Sequence, residues 1–152
     1  MSDLNDRASF EANTARIRAI TPTTERRWGK MNAQQMLCHL ADGYQVMMGE
    51  RAGDVRITFF TRTVAKFLAL ETPMPWPKGT PTGKTVDAMR GGTKPGDFVQ
   101  DMQRLLDVRA RFAEQLPALA GKPHPFFGPM SSRLWGKWGW RHEDHHLRQF
   151  GV

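Results

Sequence analysis

Cysteine is nearly absent from this chain. Only Cys38 among 152 residues is a cysteine, so no disulfide can form within it. The fold must then be held by its core, and a reducing, cytoplasmic setting is the expectation. Long apolar runs are missing too. Nothing approaches the ~20 residues of a membrane span. The polar opening Met1-Ser2-Asp3-Leu4-Asn5-Asp6 has no apolar segment behind it, so no membrane partner is expected. Acidic residues are in deficit, 15 against 22 Lys and Arg, which leaves a net charge of +7. The excess is scattered, as in Arg16, Arg18, Arg62, Lys66, Arg104 and Arg109, with no run of five or six. That pattern reads as a solvated basic surface and argues against a nucleic-acid partner. A convincing set of alternating strands is also lacking, and no internal repeat is visible.

What is present is helical periodicity broken by Pro/Gly-rich loops. Phe10, Ile17 and Ile20 predict an amphipathic helix from about Asn5 to Ile20, ended by Thr21-Pro22. Asn32 and Gln35 resemble a capping box for a second helix running through Met36, Leu40, Tyr44 and Met47 to Gly49. A third helix is expected over Val55 to Leu70, with a strand as the alternative over Val55 to Phe59. Between Glu71 and Gly96 lie five prolines and five glycines, which exclude a helix. A loop this long is either a surface crossover or a functional segment. Trp76, Lys78, Lys84 and Arg90 make it a candidate rim for an anionic ligand. Asp97 and Gln100 open the clearest stripe, Phe98, Met102, Leu105, Arg109, Phe112 and Leu116, which Pro117 closes. A second loop, Gly121 to Pro129, carries His124, expected to be exposed. The last helix starts near Ser132. These elements predict one all-α domain over residues 1–152, a four-helix bundle with long connections.

Three of the five histidines fall in His142-Glu143-Asp144-His145-His146. On a helix His142 and His146 stand one turn apart on one face, at about 100° of rotation per residue. Gln149, Trp135 and Trp138 share that face and form a candidate substrate pocket wall. Two imidazoles so spaced match two cis positions of a metal shell. The string also fits H-E-x-x-H with Glu143 as base. However, only six residues follow His146 and none is His, Asp or Glu, so a protease is not expected. The third ligand must lie upstream, where His39 sits mid-helix and His124 sits in a loop. Gly43, one turn after His39, removes bulk that would otherwise crowd a bound ion. Three histidines with a position left open describe a catalytic rather than a structural site.

His39-Leu40, His142-x-x-x-His146-x-x-Gln149, Phe126-Phe127-Gly128, Trp135-x-x-Trp138 and His145-His146-Leu147-Arg148-Gln149-Phe150-Gly151 together resemble the DinB/YfiT-like superfamily of metal-binding four-helix bundles. The resemblance spans the second helix to the end. It implies a DinB-like bundle with a three-histidine site, His39, His142 and His146, holding zinc or nickel, and a homodimer. Arg-Gly before the glutamine is here Leu147-Arg148, which moves the arginine by one position. Relatives of known activity imply a low-molecular-weight-thiol-dependent S-transferase acting on a small, anionic molecule. The alternatives are a metal-dependent hydrolase with Glu143 or His145 as base, and a non-catalytic metal-binding bundle in stress response. Cys38, beside His39, is expected to pack in the core.

Overall fold

The structure, a computed structural model, describes residues 2–152. Helix α1 (Arg7–Arg18) starts where the Asp6 carboxylate accepts the Ser9 N–H at 2.8 Å. Helix α2 (Ala33–Met48) opens with the full Asn32–Gln35 capping box and stops at Gly49, whose φ of 78° suits a residue without Cβ. A five-residue π turn, Thr61–Ala65, leads into the short α3 (Lys66–Glu71). Helix α4 (Phe98–Gln115) is capped by Asp97, and α5 (Ser132–Gln149) by Ser131. Between them β1 (Pro123–His124) and β2 (Gly128–Pro129) form a small antiparallel hairpin. The chain is all-α apart from that hairpin.

The four long helices form the bundle, with α2 packed on α4 and α5, and α1 on α5. Ile17, Met36, Leu37, Leu40, Tyr44, Leu105, Phe112 and Leu147 are fully buried between them. Each such side chain contributes roughly 1.5–3 kcal/mol on leaving water. Cys38 is buried as expected, and burial pushes its thiol up to about 12. No helix among the described residues is long and apolar enough to cross a membrane.

The segment after α2 departs from expectation. Residues 52–58 are irregular, neither the predicted helix nor the alternative strand, and regular structure begins only at residue 59. Its apolar periodicity does not mark a core face. Val55, Phe59, Phe60, Val64, Phe67 and Leu68 are all exposed, Phe59 by 81%. The loop that follows α3 is held firmly. Arg51 donates to the carbonyls of Thr85 at 3.0 Å and Gly91 at 2.8 Å, and to the Asp42 carboxylate at 3.3 Å. Buried Asp42 also accepts the Thr93 N–H at 2.7 Å. These ties fix the single 3-10 turn of the loop, Lys84–Val86, against α2.

Candidate metal centre

Helix α2 brings His39 to a face of α5 that presents His142 and His146. His39 Nε2 and His142 Nε2 lie 3.1 Å apart. The three ring centroids are 4.8 to 5.1 Å from one another. One nitrogen from each ring can be chosen so that all three lie within 4.8 Å of one another. Gly43 makes this approach possible, since a Cβ there would stand 3.3 Å from His142 Cε1.

Two rings are aimed by acceptors on their far side. His39 Nδ1–H donates to the Val86 carbonyl at 2.9 Å. His146 Nδ1–H donates to Gln149 Oε1 at 2.8 Å, and Gln149 Nε2–H donates to the Trp28 carbonyl at 2.8 Å. A carbonyl oxygen can only accept, so these contacts assign the proton to Nδ1 and turn both Nε2 lone pairs inward, that of His39 toward His142 Nε2. This is how metal-bound histidines are oriented from behind. Gly29 permits the last link. Its φ is 83°, and a Cβ would fall 2.3 Å from Gln149 Nε2. The third ring, His142, is partly exposed, and its buried Nδ1 has no partner.

Burial lowers His39 below the ordinary histidine value. It lowers His142 and His146 well below, helped by the neighbouring imidazoles. All three rings are therefore neutral near pH 7, the form that ligates metal. An all-imidazole donor set of this kind suits zinc, copper, iron or nickel rather than calcium or magnesium. The cluster can hold a divalent ion.

A family model for the DinB superfamily matches residues 7–150. The chain belongs to the DinB superfamily. No match was found among curated proteins or among solved structures.

Within this DinB-superfamily bundle the predicted site residues separate into two groups. His39, His142 and His146 meet, as the motif implies. Gln149 sits behind His146 and orients it, rather than facing open space. Trp138 lies against His142, its ring centroid 5.1 Å away, but is buried. Trp135 is 1% exposed, and its ring neighbours are Phe112, His124 and Trp138, not the three histidines. Trp138 thus backs the cluster from the core, Trp135 packs behind it, and neither rims an entrance. His124 is buried, not exposed, because its Nδ1 accepts the N–H groups of Phe126 and Phe127 and its ring stacks on Phe127.

Glu143 cannot serve as a base beside the cluster. It is 0% exposed and points the other way. One carboxylate oxygen accepts from Arg109 Nε at 2.6 Å and from the Tyr44 hydroxyl, the other from Asn13 Nδ2 at 2.9 Å. The shifted Arg148 is exposed and lies 3.5 Å from Asp144. Sequence reasoning missed the Val86 carbonyl and Trp28. A backbone acceptor has no residue-type signature. Trp76 is half-buried, 6.1 Å from both His142 and His145.

Proposed function

We propose that this protein is a divalent-metal-dependent enzyme that transfers a low-molecular-weight thiol to an electrophile. The observation that carries the reading is the pair of rings aimed from behind, His39 by Val86 and His146 by Gln149, with their free nitrogens converging on His142. Packing alone does not require two neutral donors to face a third. Zinc or nickel is the proposed ion. When bound it supplies Lewis acidity that favours the deprotonated, nucleophilic form of a thiol. The chain's own residues hold and orient the three ligands, and the tryptophan backing keeps that side dry. The hydrolytic alternative is weakened by the engagement of Glu143 on all sides.

Elemental analysis of freshly purified, untagged protein tests the site. About one equivalent of a divalent metal per chain is expected from a single three-histidine centre. His39→Ala and His142→Ala should each lose that metal while helix content is kept. Full occupancy in both variants would refute the assignment. Glutathione-dependent conjugation of a chloroaromatic electrophile, measured with and without chelator, then tests the activity.

The proposed quaternary state is a homodimer in the cytoplasm. Support comes from the strip of Phe59, Phe60, Val64, Phe67 and Leu68, which exposes more contiguous apolar surface than scattered single residues would. Light scattering should give twice the chain mass, and Val64→Glu with Phe67→Glu should halve it. A monomeric wild type would end this proposal.

A further inference from the structure

The histidine cluster has one partly exposed member, His142, and an aromatic path leads outward from it. His142 lies 5.1 Å from Trp138 on the core side and 6.1 Å from Trp76 on the outer side, both rings within about 33° of parallel to it. Trp76 also faces His145 at 6.1 Å, and Trp28 stands edge-on to His145 at 6.1 Å. Lys78 Nζ closes the path, 4.7 Å over the Trp28 ring. Trp28, Trp76 and His145 are all partly exposed, and Lys78 is exposed.

The Trp76 indole is fixed from behind, its Nε1–H donating to the Ala69 carbonyl at 2.9 Å, and the Trp28 backbone is held by its carbonyl, which accepts the Gln149 amide. The same Gln149 aims His146, so one side chain joins the mouth to the cluster. The two segments that carry Trp28 and Trp76 are basic, and Asp144, the carboxylate beside His145, is already paired with Arg16 and Arg148. Residues 26–41 and 72–86 contain Arg26, Arg27, Lys30, Lys78 and Lys84 and no Asp or Glu. Lys78 makes no ion pair among the described residues. A lysine held over an indole without a carboxylate keeps its charge available to a ligand.

We infer that Trp28, Trp76, His145 and Lys78 form the recognition mouth of the site, and that it takes an elongated small molecule carrying a carboxylate. The molecule's body lies along the indole faces, and its carboxylate meets Lys78. Elongation is required because Lys78 and the cluster are separated by the Trp28 and His145 rings. A compact thiol such as free cysteine cannot touch both ends. This inference rests on reading the cluster as the substrate-facing centre.

The test uses the zinc-loaded protein and two probes, glutathione and its diethyl ester, which share a thiol and differ in carboxylate charge. Calorimetry should show glutathione binding about fivefold more tightly than the ester, the upper range for one exposed ion pair. Lys78→Gln should abolish that preference while leaving the ester's affinity and the zinc content unchanged. Trp28→Ala should weaken both probes alike. Equal affinity for the two probes in the wild type, a preference that survives Lys78→Gln, or no binding of either at millimolar concentration would overturn the inference. Zinc content, read separately, tells failure of the metal reading from failure of this one. A metal-free chain that still prefers the carboxylate would keep the mouth and lose the centre.

Discussion

Glu143 and His142 are neighbours on α5, and their surroundings differ in one respect. Glu143 has a hydrogen-bond donor at each oxygen, and its three partners come from α1, α2 and α4. One carboxylate thus ties all four helices of the bundle together. His142 keeps an unpartnered buried nitrogen and points another at His39. A buried polar group that is fully satisfied specifies structure; one left unsatisfied beside converging lone pairs is waiting for a ligand. Both groups are ionisable and sit side by side on the same helix, so position on the helix does not separate structure from site here. Only the state of their partners does.

The contrast is broken most severely at Glu143. Glu143→Ala leaves Arg109, 1% exposed, without its counter-charge. Urea unfolding of the metal-free protein should show a loss of about 3–5 kcal/mol, the range for breaking a buried pair on one side. A loss under 1 kcal/mol would mean the network is not structural.

Gln149→Ala acts on the other cluster and should cost less stability than Glu143→Ala, about 1–3 kcal/mol for the buried groups it leaves unpaired. It frees His146 to rotate, and zinc affinity should fall about 10- to 100-fold, as for other groups that orient a ligand from behind. Competition with a chromophoric chelator reads it. Unchanged affinity would show that the His146 orientation is set elsewhere.

The smallest effect sharpens the comparison by isolating burial from convergence. His124, like His142, has a buried unpartnered nitrogen, but no second imidazole faces it. Burial lowers it to about 3. Unfolded histidine titrates near 6.5, so below that pH the unfolded chain binds a proton that the folded chain refuses. The contribution is complete above about pH 6.5 and is lost as pH falls toward 3. Between about pH 7 and pH 5.5 the metal-free wild type should lose about 1 kcal/mol more than His124→Gln does. Equal slopes in urea titrations would show that His124 is charged in the fold.

The helices that build the bundle were readable because each carries its own end signals. Asn32 with Gln35 and Asp97 cap where the pattern says they should, Gly49 closes α2, and α5 begins at Ser132, where the sequence places its start. The histidine triplet was readable because i, i+4 spacing and one mid-helix His narrow the choice. Residues 55–58 misled because apolar periodicity does not say where a helix begins, and the strip over residues 59–68 misled because it does not say whether its face is covered. Trp135 and Trp138 misled because a shared helix face says nothing of depth. The carbonyls of Val86 and Trp28 were invisible, since any residue offers one.

The grip of Arg51 on the Pro/Gly-rich loop has a consequence for how the centre comes into being. His39 takes its orientation from a carbonyl 47 residues away, and His146 takes its own from Trp28 through Gln149 across 121 residues. Closing such distances is entropically costly and comes late for contacts far apart in sequence. No fragment of the chain holds the oriented centre. The three-histidine geometry is therefore complete only when α2, the loop and α5 are all in place, so the proposed metal uptake would serve as a clock for the last step of folding.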